Sequence, residues 1–201
     1  SGTQTYTDAV TLSANVTLTT SSDAVTFSST INSADRTRRN LTIATGGDST
    51  TVTFDGIVGG SQAVGAIAIT GALDLNAAIT DATSLSVSGV SNLGADVTTT
   101  GTQTSSAATT LSGAARTLEG STIQTTTING AQNLAITGNL DLNGIIGGSN
   151  AIGVFSVSGT SNLGANVTTT GTQTYAGAVT LSANVALATS NDQFAFQSTL
   201  N

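Results

Sequence analysis

Apolar residues along this chain seldom stand in runs; they alternate. Val10-Thr11-Leu12, Val16-Thr17-Leu18, Val25-Thr26-Phe27, Leu41-Thr42-Ile43 and Val52-Thr53-Phe54 share one form: apolar, small polar, apolar. The form returns in Ile67-Ala68-Ile69, Leu73-Asp74-Leu75, Leu85-Ser86-Val87, Leu134-Ala135-Ile136 and Leu140-Asp141-Leu142. It closes with Val179-Thr180-Leu181, Val185-Ala186-Leu187 and Phe194-Ala195-Phe196. A period of two marks a strand with one buried face, because successive side chains leave a strand on opposite sides. Val, Ile, Thr and Phe suit a pleated surface. Gly, Asn, Asp and Ser stand between the triplets, and these residues turn a chain at low cost. Helical spacing is absent, and so many β-branched residues oppose long helices.

Strands this short cannot sustain an isolated hairpin or sandwich. They can wind into a coil in which each strand lies in register on the strand one turn below. The pattern therefore predicts an all-β chain, a parallel β-helix (β-solenoid) of short strands. Rungs of about 20 residues would give roughly ten rungs, rising ~50 Å at the spacing of paired strands. The alternative, an up-and-down barrel, asks for longer strands.

Whole phrases also recur. SNLGADVTTTGTQT (91–104) returns as SNLGANVTTTGTQT (161–174), with Asp96 replaced by Asn166. GTQTYTDAVTLSANVTL from Gly2 returns as GTQTYAGAVTLSANVAL from Gly171, and a decayed copy, GTQTSSAATTLSG, begins at Gly101. AITGALDLN (68–76) matches AITGNLDLN (135–143), and GGSQAVG (59–65) matches GGSNAIG (147–153). Residues 1–201 thus read as one solenoid segment, with related copies near 1–32, 100–113 and 170–201. The last copy stops in mid-unit, so the array is expected to continue beyond Asn201. Each copy is expected to occupy an equivalent place along a rod.

Composition narrows the function. The chain holds no His, Cys, Met, Trp, Pro or Lys, and its basic residues are Arg36, Arg38, Arg39 and Arg116. A hydrophobic content of 38 % is enough to fold, but 3 % aromatics make a thin core. The net charge of −7 disfavours nucleic acid and anionic membrane surfaces, both of which need clustered cations. No apolar run approaches the ~20 residues of a membrane span, so no membrane insertion is expected.

The phrases GTQTYTDAVTLSANVTLTT, VTFSSTIN, VTFDGIVGGSQAVGAIAITGALDLN and SNLGADVTTTGTQT resemble the repeats of giant bacterial surface proteins of the filamentous haemagglutinin and autotransporter-adhesin type. The resemblance covers most of the chain and rests on repeat grammar. It implies a right-handed parallel β-helix, secretion across the outer membrane, and an extracellular place at the cell surface.

Little catalytic chemistry remains. Ser–His and Cys–His pairs are excluded by the missing His and Cys, and Schiff-base chemistry by the missing Lys. Zinc almost always takes His or Cys. Carboxylate pairs could serve a glycosidase, but the Asp residues are scattered singly, and Asp74 and Asp141 fall in equivalent copies. No catalytic, cofactor or metal residues are assigned, and the chain is read as no enzyme. GGSQAVG lacks the Gly-Lys-Ser/Thr ending of a phosphate loop, so its glycines read as a corner needing positive φ. GGDST at Gly46 is the nearest approach to a calcium-binding nonapeptide and does not repeat. The sequons at Asn15, Asn40 and Asn166 are expected by chance in so Thr- and Asn-rich a chain.

Asn32 to Asn40 breaks the triplet rhythm and holds Arg36, Arg38 and Arg39. These three are the candidate partner contacts, either on a loop facing an acidic neighbour or in a solvated insertion. The expected role is a rod or spacer in an adhesin or surface fibre, serving adhesion, cell–cell contact or a biofilm matrix. Its expected partners are neighbouring repeats of the same chain and copies associating laterally or end to end. The alternative is a module that binds glycan, mineral or ice through the Arg-rich loop or a Thr-rich face.

Overall fold

The computed structural model describes residues 2–201, which form 24 strands and, among the described residues, no helix. Every strand pairing is parallel. The chain winds as a β-solenoid of about ten turns. Each turn lays strands on three faces in a fixed order. The second face carries an unbroken apolar column from turn to turn: Val10, Ile31, Val58, Ile79, Val97, Leu118, Ile136, Val157, Tyr175, Phe196. The first-face column runs Gln4, Val25, Val52, Leu73, Ser91, Thr109, Ile128, Ile146, Val167, Leu187. The third-face column runs Val16, Leu41, Ile67, Leu85, Gln103, Ile123, Leu140, Ser161, Val179, Leu200. Most of the triplets are these strands, with their outer residues inward and their middle residue outward; at the C-terminal end Val185 lies outside strand Leu187–Ala188, and Phe194 and Phe196 are exposed.

Three longer strands, Ile79–Val87, Arg116–Thr125 and Leu134–Leu142, turn the corner between the second and third faces. The register slips at that corner, between Ile79 and Ala82 and between Glu119 and Thr122. Side chains also tie the corners, at this one and at the other two, because the backbone ladder is interrupted there and its N–H groups need acceptors. Asn15, Asn40, Asn133, Asn139 and Asn166 each accept an N–H from the next turn through Oδ1, at 2.8–2.9 Å. The sequons at Asn15, Asn40 and Asn166 therefore coincide with structural corner residues. Gly59 and Gly147 open the GGSQAVG and GGSNAIG corners at φ 78° and 74°, as the corner expectation required. A Cβ at either would collide with a carbonyl of the following turn, Asp81 or Thr168.

The core is one layer deep. Its few aromatics form two ladders: Tyr6, Phe27 and Phe54 on the first face, and Phe155, Tyr175 and Phe196 on the second. The outer rings of each ladder stack, with Tyr6 and Phe27 centred 4.8 Å apart and Tyr175 and Phe196 5.3 Å apart. Between the ladders the core is mostly aliphatic, with buried Ser91, Thr99, Gln103, Thr109 and Thr125 among it.

Ile136 is buried at the middle of the second-face column, between Leu118 and Val157. Ile136→Ala is expected to cost about 3 kcal/mol, since the turns above and below are tied and cannot collapse into the gap. Chemical denaturation of the two proteins measures it.

Candidate functional site

The repeated phrase has a definite local structure. In the first copy, Ser91 and Leu93 point inward while Asn92 points out and donates from Nδ2 to Asp74 Oδ1 of the previous turn, at 2.8 Å. In the second copy Asn162 donates to Asp141 Oδ1 at 2.9 Å. Gly94 and Gly164 N–H donate to the Leu75 and Leu142 carbonyls, both at 2.8 Å. The one differing position keeps its task. Asp96 Oδ1 accepts Thr117 N–H at 2.9 Å, and Asn166 Oδ1 accepts Ala186 N–H at 2.8 Å. Both residues supply the accepting oxygen, and Asp96 adds a 3.9 Å ion pair to Arg116 that Asn166 lacks.

The glutamine ending the phrase locks the corner from inside. Gln103 Nε2 donates to the Val97 carbonyl at 3.0 Å and the Glu119 carbonyl at 2.7 Å, with Thr99 Oγ1 at 3.4 Å. Gln173 repeats this with Val167 at 3.2 Å, Ala188 at 2.7 Å and Thr169 Oγ1 at 3.3 Å. A buried carboxamide is tolerable only when its hydrogen bonds are met, and here they tie two faces to the turn below. Tyr175 donates its hydroxyl to Gln173 Oε1 at 3.0 Å, as Tyr6 does to Gln4 at 3.1 Å. Burial pushes the Tyr175 hydroxyl well above the usual phenol range.

The copies do not share a face. Gln4 lies on the first face, Gln103 on the third and Gln173 on the second. Ser91 lies on the first face and Ser161 on the third. Equivalent bonding is preserved; equivalent direction is not.

The Arg-rich segment is the loop between strands Ile31–Ser33 and Leu41–Ala44. Asp35 and Arg36 have φ of 52° and 56°. Arg38 reaches along the rod: Nη2 pairs with Asp81 Oδ1 at 2.8 Å and Nη1 donates to the Val64 carbonyl at 3.2 Å. Its acidic partner is thus within the chain, two turns on. Arg39 donates its backbone N–H to Ser33 Oγ at 2.9 Å, and its Nε is buried without an acceptor. Arg36 is exposed, and its side chain makes no hydrogen bond or ion pair with the described residues. The fourth arginine, Arg116, is spent on the Leu93, Ser112 and Ala115 carbonyls. Sequence pattern singled out the loop but could not reveal Asp81 as a partner, because only winding brings the two together.

Outward threonines form short runs. Thr5, Thr26 and Thr53 stack on the first face, and the run ends at Asp74 and Asn92. Asp74 and Asp141 accept amide hydrogen bonds from Asn92 and Asn162 and lie on different faces. An enclosed cavity of about 20 Å³ lies among Ser91, Gln103, Thr109, Thr125 and aliphatic neighbours, room for a water but not an organic ligand. Among the described residues no three His, Cys, Asp or Glu side chains gather as a metal site. No helix of the described residues is long and apolar enough to cross a membrane. No protein-family model, curated protein or solved structure matches the chain.

Gln103→Leu and Gln173→Leu keep most of the side-chain volume and remove the lock. Each is expected to cost about 2 kcal/mol, by leaving buried carbonyls unpaired. Gln173→Leu also strands the buried Tyr175 hydroxyl, so it should cost more than Gln103→Leu, and denaturation midpoints of the single variants compare them. The raised Tyr175 pKa has its own consequence. An ionisable group whose folded pKa lies above its unfolded one contributes stability below the unfolded value, and that stability is lost as pH rises beyond it. Stability should fall above about pH 10, and Tyr175→Phe should flatten the decline; denaturation at neutral and alkaline pH measures both slopes.

Proposed function

We propose that the segment is a non-enzymatic rod or spacer of an extracellular bacterial adhesin or surface fibre, serving adhesion, cell–cell contact or matrix. One observation carries this. The two full copies of the phrase keep the inward Gln lock and the turn-to-turn bonds, while Gln103 lies on the third face and Gln173 on the second. A chain selected to display one recognition surface repeatedly would keep its copies in line. A chain selected to continue a stack needs only the internal bonds.

The mechanical logic follows from the ladder. Each turn is hydrogen-bonded to its neighbours, so length and stiffness grow with each turn added. The likeness to filamentous haemagglutinin and autotransporter-adhesin repeats supports export and a surface location. With 7 % charged residues, rods would meet with little repulsion, which favours lateral association of copies.

A ligand-binding module, with glycan, mineral or ice as its target, is the second proposal. It is favoured by two features of the same loop, the exposed Arg36 and the buried, unpartnered Nε of Arg39. It predicts saturable binding by the isolated segment, lost in Arg36→Ala and Arg39→Ala. A spacer predicts none.

The deciding experiment is electron microscopy of intact producing cells labelled with antibody against residues 1–201. Label along thin surface filaments is the expected result. Label absent from the surface, with soluble protein abundant in the medium, would overturn the fibre proposal.

A further inference from the structure

The chain contains two Asn-Gly pairs, Asn129-Gly130 and Asn143-Gly144. Such pairs are chemically special. The glycine nitrogen can attack the asparagine Cγ with little steric hindrance, because glycine has no Cβ. For this the carboxamide must be free to swing onto its own backbone and the glycine N–H must be free of an acceptor. The solenoid treats the two pairs in opposite ways.

At the first pair both requirements fail. Asn129 Oδ1 accepts Ser149 N–H at 2.9 Å and Asn150 N–H at 3.4 Å, which holds the carboxamide outward. Gly130 is buried, and its N–H donates to the Asn150 carbonyl at 3.3 Å. At the second pair both are met. Asn143 is exposed at the corner after strand Leu134–Leu142, and its side chain makes no hydrogen bond with the described residues. Its backbone N–H is anchored to the Thr125 carbonyl at 2.8 Å, but Gly144 N–H has no acceptor among the described residues.

We propose that Asn143 is a modification site of the folded chain, converted by spontaneous deamidation to an acidic residue while Asn129 is protected. Gly144 nitrogen bonds to Asn143 Cγ and gives up its proton, and Nδ2 leaves as ammonia. The resulting cyclic imide is opened by water at either carbonyl, giving an aspartyl or an isoaspartyl residue. No enzyme, metal or oxidant takes part.

The fold already shows that the aspartyl product fits. The corner DGIVGG from Asp55 is the counterpart of NGIIGG from Asn143. Asp55 occupies the same position, its N–H bonded to the previous turn at Phe27 O, 2.9 Å, as Asn143 is to Thr125. Its carboxylate accepts Asn76 Nδ2 at 2.9 Å. The isoaspartyl product has no such precedent. It lengthens the main chain by one carbon just before Ile146, whose place between Ile128 and Val167 depends on corner length.

The test is peptide mapping by mass spectrometry after the intact chain is held at mildly alkaline pH, folded and in denaturant. The folded chain should accumulate aspartyl and isoaspartyl product at Asn143 several-fold faster than at Asn129. In denaturant the two should converge. Equal conversion of both sites in the folded chain would overturn the proposal, as would no conversion at Asn143 over a time that converts it in denaturant. Asn143→Gln should remove the folded-state product. Gly144→Ala is a poor control, since a Cβ there would lie 2.7 Å from the Thr126 backbone. Asn143→Asp supplies a reference for the mapping and should fold like the parent.

Discussion

The parallel backbone ladder between successive turns is the constraint on which the rest depends. Each strand finds its hydrogen-bond partners in the turn before and the turn after, so no turn can shift without stranding its neighbours' N–H and C=O groups. Register then follows. A slip of one residue would turn every triplet inside out and place Thr or Asp where Val and Leu belong. The second-face column from Val10 to Phe196 shows how consistently this is enforced, with ten apolar residues in sequence across ten turns.

Corners are where the ladder is weakest, and side chains repair it there. Asparagine is suited to this task because its oxygen can accept from the next turn while its backbone bends. The buried glutamines do the complementary work from inside, donating to carbonyls that the corner leaves over. The phrase shared by 91–104 and 161–174 is a complete set of these repairs: an outward Asn, a glycine, a corner oxygen, a threonine and an inward Gln. Its near-identity in two places reflects a local bonding problem solved twice in the same way. At the one differing position both residues accept an N–H from the next turn, and Asp96 alone also faces Arg116.

A narrow interior also accounts for the composition. Three short strands per turn enclose space for one layer of side chains, filled by Val, Ile and Leu, with stacked rings in only two places. The few charged side chains tie turns together: Arg38 pairs with Asp81 two turns on, and Arg116 reaches the Leu93 and Ser112 carbonyls and lies 3.9 Å from Asp96. Such a body grows along one axis, turn on turn.

The triplets, the turn residues between them and the repeated phrases were enough to define strands, a parallel solenoid and about ten turns. Strand and corner are local, and each is written in adjacent residues. The glycines of GGSQAVG and GGSNAIG were legible as corners for the same reason. Direction around the axis was not legible. It accumulates over turns of unequal length: Asp74 to Asn92 spans 18 residues, whereas Val25 to Val52 spans 27. Copies that look interchangeable in sequence are thereby rotated onto different faces. The partners of Arg38, and the contrast between Asn129 and Asn143, are also set by what winding brings alongside. The sequence by itself determined the rung and the tendency to stack. Only the tertiary structure decided which way each copy faces, because that depends on the summed lengths of every corner before it.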